Sequence, residues 1–441
     1  MNEEALTRDS RGAVHSTVIV GASLGIWSIG AYFFYLLAGR LLGPVDYGLA
    51  AALQALIVAI ALPAIALQWA IARGFASASS AERDGARAVY RRAVFRGIWF
   101  TIAVAAIATV VTIIIGGVRT GTPVGPLVAT YWSAAPIIPL VLGMGALQGE
   151  HRYWAFAGTY ASTGVLRAPL LLLLLAIPIL GSVEATSIAT GIPYLLAAAI
   201  VIWLTRGDLV NAGPPPAVMW REFTHSLVAA GVGLGGIAVL TNVDVIVAKV
   251  SLGGHEAGYF GATAIVAKAL LVVPQALTVI LLPRVAERER QRAATGPLLA
   301  AGVAVMVATG LLAMLIAIPL ADPIVTITFG EAYAPAAALV LPFFGATTLL
   351  GALLILVNHH VARSDHRFVW IIGALAIVQV VLLILFSTSA HAIIAVDATV
   401  AGLGLVIHEL IYFRTDESMV RGVGREMSAV ITRLRTRGGT K

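Results

Sequence analysis

The sequence predicts an all-α integral membrane protein with about twelve transmembrane helices. They form two six-helix lobes related by a pseudo-twofold axis along the membrane normal. Three observations predict this: a composition too apolar for water, long apolar runs with one-sided charge between them, and an internal repeat. Hydrophobic residues make up 59% of the 441 residues and charged residues 12%, against about 25% charged in a soluble domain. So few charges cannot clothe a water-soluble protein of this length.

A spanning helix needs roughly 20 mostly apolar residues. Runs of that kind cover 14–38, 48–72, 94–116, 124–147, 155–180 and 185–204 in the first half. In the second half they cover 224–250, 257–283, 297–319, 334–357, 368–388 and 390–413. The first run is too long for a secretion-signal core and no small-residue cleavage site follows it, so it reads as the first membrane helix. Pro63, Pro139, Pro169, Pro178, Pro193, Pro274 and Pro342 interrupt helices and permit kinks.

Charge tests the count. The net charge is +7, with 29 Lys and Arg. Basic residues concentrate at the cytoplasmic ends of membrane helices. With the N-terminus inside, 24 of the 29 fall in inner segments, and only Arg40, Arg119 and Lys249 in outer loops. A miscounted helix would invert that pattern downstream. The expected location is the cytoplasmic membrane, with both termini cytoplasmic. The charge lies between apolar runs rather than on one solvated face, which argues against nucleic acid. Arg433, Arg435 and Arg437 mark a basic tail suited to anionic headgroups. The chain has no Cys, so disulfides and thiolate metal sites are excluded.

The repeat is read from two motifs. Leu42-Gly43-Pro44-Val45-Asp46-Tyr47-Gly48 and Leu252-Gly253-Gly254-His255-Glu256-Ala257-Gly258 share the pattern L-G-x-x-acid-x-G. In each, the acid is placed to cap the following helix. Glu150-His151-Arg152-Tyr153 matches Asp365-His366-Arg367-Phe368 at nearly the same offset. An even helix number per half makes the repeats parallel, as in one class of transporter. The expected division is a lobe at 1–206, a linker at 207–222 containing Gly213-Pro214-Pro215-Pro216, a lobe at 223–413 and a tail at 414–441.

Gly39-Arg40-Leu41-Leu42-Gly43-Pro44-Val45-Asp46-Tyr47-Gly48 resembles the first-hairpin signature of the polysaccharide exporters, the Wzx-type oligosaccharide flippases. Asn242-Val243-Asp244, Leu252-Gly253, Gly258-Tyr259-Phe260 and Leu282-Pro283-Arg284 resemble that family's seventh and eighth helices, and Phe329-Gly330-Glu331-Ala332-Tyr333-Ala334 the start of its tenth. The resemblance runs from about Val14 to about Arg367. It places the chain in the multidrug/oligosaccharidyl-lipid/polysaccharide flippase superfamily. It implies two lobes around a cavity that opens alternately to each side, and a polyprenyl-diphosphate-linked glycan as substrate. Membrane lipids, H+ or Na+, and other polysaccharide-assembly proteins are the further partners it implies.

Charges inside the bilayer cost about 2.5–3.5 kcal/mol each even on a lenient scale, so they normally face the bundle interior. Arg167 sits mid-way along the fifth run, where the repeat has Leu382. It is either a guanidinium for a diphosphate or an Arg satisfied by backbone carbonyls. Lys268 and Asp244 share a hairpin at comparable depth. They are either a salt bridge, or a phosphate ligand (Lys268) and a cation or proton site (Asp244). Arg40 and Arg73 stand at helix ends. They serve topology, or line a cationic path for phosphate. His359-His360 and His408-Glu409 lack a spaced third ligand, so no metal and no cofactor is expected.

The leading expectation is a flippase for a polyprenyl-diphosphate-linked oligosaccharide, working by alternating access in cell-surface polysaccharide assembly. The alternative is a cation-coupled multidrug exporter, which the excess of buried positive charge disfavours. A membrane glycosyltransferase, polymerase or ligase is less favoured, because the outer loops are too short for a sugar-binding domain.

Overall fold

The computed structural model describes residues 3–118, 123–210, 213–277, 295–362, 366–415, 418–419 and 421. Arg119, Arg284, Asp365 and the arginines at 433–437 lie outside the described residues. Among the described residues every regular element is helical. Eleven stretches are long and apolar enough to cross a membrane. The first, Val18–Ser77, is 60 residues long, or about 90 Å of helix, enough for two passes. It breaks at Gly43, whose φ of 72° and ψ of 169° leave the helical region. Only glycine takes that conformation without strain. The chain is therefore multi-pass, with the crossings that twelve apolar runs require.

The helices are α1 (Glu3–Ser77), α2 (Arg83–Val118), α3 (Val124–Ala134), α4 (Ile137–Gly149), α5 (Tyr153–Val165), α6 (Arg167–Leu175), α7 (Ser182–Leu204) and α8 (Arg206–Val210). Then follow α9 (Ala217–Ser251), α10 (Gly254–Lys268), α11 (Gly296–Phe329), α12 (Ala337–Ala362), α13 (His366–Phe386) and α14 (Ala390–Tyr412). Two compact units emerge, Met1–Leu234 and Gly235–Lys441, with the division inside α9. The expected join at 207–222 lies within the first unit. It holds the short helix α8 and the first residues of α9.

Burial repeats between the units. In the first, the most apolar stretch within Arg83–Gly116 is the least buried, and that within the following Val124–Gly149 the most. The second repeats this with Gly296–Phe329 and Glu331–His360. In each unit a helix with few buried residues in its most apolar stretch is thus followed by one that packs deeply.

The two copies of the first motif place their glycines alike: α1 breaks at Gly43 and α9 gives way to α10 at Gly253. Their acids do not cap as expected. Asp46 accepts a 2.7 Å hydrogen bond from Ser182 Oγ at the start of α7, and in the second copy Gly253 is the N-cap of α10, with Glu256 in the first turn. The acid of the first copy ties two helices together instead.

Small residues set the helix spacing, as expected where lipid offers no hydrophobic drive for association. A Cβ on Gly164 of α5 would lie 2.5 Å from Trp27 O and 2.8 Å from Trp27 Cα, and one on Gly30 would lie 2.8 Å from Gly164 C. Backbone cannot retreat from such contacts as a flexible side chain can. Gly164→Leu is therefore expected to cost at least the roughly 1–3 kcal/mol of an overpacked core. Gly158→Ala, with open space around it, is expected to change little. Thermal melting of the two detergent-solubilised variants tests this, and equal melting temperatures would refute it.

Candidate functional site

The first unit buries a guanidinium in an aromatic cage. The fifth apolar run is interrupted at Leu166, between α5 and α6, where the backbone keeps helical dihedrals (φ −73°, ψ −15°). Pro169 has no N–H for the carbonyl of Val165, so the local ladder is loosened there. Arg167 starts α6 at that break and is 1% exposed. Its Nε donates to Thr163 O at 2.8 Å and its NH2 to the Tyr194 hydroxyl at 2.6 Å. Tyr35 is a further hydrogen-bond partner. Trp27 and Tyr194 lie 5.8 and 5.0 Å from its Cζ, ring centroid to guanidinium. Among the described residues no carboxylate pairs with Arg167. Aromatic faces and neutral oxygens stabilise the charge but do not cancel it.

The second unit holds the opposite arrangement. Lys268 ends α10, and its Nζ lies 2.8 Å from Asp244 Oδ1, 2.7 Å from Asp244 Oδ2 and 2.8 Å from Thr241 O. Those three acceptors match the three donors of an ammonium. The salt-bridge alternative for Asp244 and Lys268 is the geometry found. Asp244 is 1% exposed. A third charge, which the sequence reading missed, joins them. Asp397 of α14 is buried, accepts 2.7 Å from Gln379 Nε2 of α13, and reaches the Asp244 carboxyl. Two carboxyl groups thus share one lysine. The missed signal was an Asp within the apolar run 390–413, the same kind of signal that singled out Asp244.

Arg40 is exposed, three residues before the Gly43 break. Arg73 is exposed near the end of α1 and lines a cavity of about 320 Å³ with Glu82, Glu222, Met219 and Phe223. The structure thus gathers Asp244 and Lys268 in the second unit. In the first it sets Arg167 inside a cage, and Arg40 and Arg73 at exposed places on α1. His360 and His408 are fully buried with Nε2 atoms 2.9 Å apart. Among the described residues no group of three or more His, Cys, Asp or Glu is placed to hold a metal.

No protein-family model matches the chain, and no curated protein matches it. Solved structures do. Lipid II flippase MurJ, in an inward closed conformation, aligns with a TM-score of 0.71 at 12% identity, over 90% of this chain and 88% of that one. A multidrug resistance MATE family transporter of the MOP superfamily, inward-facing, aligns at 0.66 and 14% identity, over 88% and 96%. A MOP superfamily transporter from Pyrococcus furiosus aligns at 0.57 and 13%, over 89% and 94%. Its description assigns it a binding pocket of reverse polarity that suggests a different function. At such identities the likeness establishes the fold: this chain has the fold of these transporters along most of its length.

Proposed function

We propose that the chain is a flippase of the Wzx type, moving a polyprenyl-diphosphate-linked oligosaccharide across the cytoplasmic membrane by alternating access. The observation that carries this reading is the buried charge of Arg167, left without a carboxylate among the described residues, in a fold shared with a lipid II flippase. A lone cation held off water raises the local positive potential and attracts an anionic group. A diphosphate meets that requirement and a cationic drug does not. With Thr163, Tyr194 and Tyr35 engaging its donors inside the cage, Arg167 acts first through its field. Direct contact requires Tyr194 or Tyr35 to yield. Arg40 and Arg73 extend the attraction along α1. Lys268 contributes once an arriving phosphate competes with Asp244 for it.

Asp244, with Asp397 beside it, is the ion-coupling group in this reading. The pair carries one more acid than Lys268 neutralises, and a proton or a cation such as Na+ makes up the difference. The same acid excess is the one observation that favours the multidrug-exporter alternative. Liposomes holding the purified protein and a fluorescent polyprenyl-diphosphate glycan decide between the two. The glycan lipid is expected to become accessible at the opposite leaflet with an imposed ion gradient. A deletion strain is expected to keep wild-type drug susceptibility. No flipping, together with drug hypersensitivity, would replace this reading with the exporter.

A further inference from the structure

The repeated acid-His-Arg-aromatic motif has no part in that mechanism, and its first copy lines a separate cavity. α4 ends at Gly149, and Glu150, His151 and Arg152 turn the chain into α5. His151 takes a φ of 59°, the single positive φ outside glycine among the described residues. Such a backbone is unfavourable for a side chain and persists only when its surroundings hold it. Here Arg152 N donates to Leu147 O at 2.8 Å, Glu150 N to Ala146 O at 2.9 Å, and Arg152 NH1 to Leu204 O at 2.9 Å. The turn therefore presents three polar side chains in succession. They line a cavity of about 290 Å³ together with Arg83, Phe75, Ala76, Ala78 and Gly149.

The charge in this cavity is positive. Arg83 and Arg152 are opposed by Glu150, which sits 3.6 Å from Arg152. That contact is long for an ion pair between groups this exposed, and such pairs contribute little. Burial, with the Asp208 charge second, raises the Glu150 carboxyl above its ordinary range, against the pull of Arg152. Glu82, next to Arg83 in sequence, does not line this cavity; Ser79 N and Oγ hold its carboxylate at 3.1 and 2.8 Å. Trp154 and Trp203 stand exposed nearby, the latter stacked under Arg206 at 5.1 Å. Exposed tryptophans of this kind mark the headgroup level of a bilayer. A basic pocket between membrane helices at that level suits a phospholipid headgroup.

We propose that Arg83, His151 and Arg152 form a binding site for the phosphate of an anionic membrane lipid, distinct from Arg167 and from the Asp244–Lys268–Asp397 group. The phosphate takes the two guanidiniums and the imidazole, and displaces Glu150 from Arg152. The site rests on the chain's being membrane-embedded and not on what it transports.

Binding, rather than transport, therefore tests it. The full-length protein is placed in nanodiscs of phosphatidylcholine doped with phosphatidylglycerol, or with a polyprenyl diphosphate, and retained lipid is read by native mass spectrometry. Arg83→Gln is expected to lower retention about tenfold, the loss of one charge-assisted bond. Arg206→Gln, outside the cavity, is expected to leave it unchanged. Arg83 projects from a helix start, so thermal melting is expected to match the wild type and to separate binding from folding. Loss of phosphatidylglycerol alone assigns the site to phospholipid, and loss of the polyprenyl diphosphate alone assigns it to the carrier lipid. Equal retention by wild type and Arg83→Gln for both lipids overturns the proposal.

Discussion

Lys268→Met is expected to lose about 3–5 kcal/mol of stability and all transport. Among the described residues the lysine is the only positive partner of two buried carboxyl groups, and Met fills its volume without its charge. Removing one member of a buried ion pair leaves the other uncompensated, which costs far more than the intact pair contributes. Asp244 would keep a 1% exposed carboxylate with Asp397 against it. Two like charges in such a site repel and can no longer both ionise. Adding Asp244→Asn to Lys268→Met removes the stranded charge and is expected to return most of the stability. It is not expected to return transport, because the proposed coupling group is gone.

Asp397→Asn separates the two roles. Asn can still meet Gln379, and Asp244 and Lys268 remain an equal pair at 2.7 Å. The fold is expected to hold within about 1 kcal/mol, the ordinary worth of one hydrogen bond. Transport is expected to continue down a substrate gradient but to stop responding to an imposed ion gradient. Melting curves and gradient-driven flipping on the three variants test the scheme. A double variant that melts no higher than Lys268→Met would show that the network does not act as a charge balance.

Some of this was legible in the sequence, and the dividing line is physical. The spans follow from local composition, since twenty apolar residues meet lipid whatever their neighbours. The breaks at Gly43 and Gly253 follow from residues that interrupt helices on their own account. The Asp244–Lys268 pair was foreseen as one of two possibilities, because one hairpin fixes the relative depth of both residues. Asp397 was not, although it is just as costly in a bilayer. Its partners lie on α13 and α9, and no spacing rule relates those helices to α14. The acid caps failed for a similar reason. Asp46 can satisfy α1 locally or reach Ser182, which is 136 residues away in the chain, and only the packed unit decides. The interruption at Leu166 was legible as a kink, because Pro169 lies three residues on, but the apolar residues around it do not say which residue it falls on.

Arg167 gives the second large effect, and it should have the opposite stability signature. Arg167→Met is expected to abolish transport while changing stability by less than about 2 kcal/mol. The argument turns on what each deletion leaves behind. Lys268 leaves a naked carboxylate, whereas Arg167 leaves a tyrosine hydroxyl, a helix carbonyl and aromatic faces. Those groups are neutral, so the cost of unmade hydrogen bonds is partly offset by no longer burying a lone charge. Met packs well against Trp27 and Tyr194, since a thioether is attracted to aromatic edges. Arg167→Lys keeps the charge but not the planar fork that reaches Thr163 and Tyr194 together. It is expected to retain part of the transport, which distinguishes a requirement for field from a requirement for shape. Arg167→Ala, which also empties the cage, is expected to lose transport as fully as Met. Normal glycan export by Arg167→Met at wild-type protein level would remove this residue from the mechanism. Melting that falls as far as for Lys268→Met would make the cage a folding device, and the positive charge in the first unit would then need another explanation than a diphosphate.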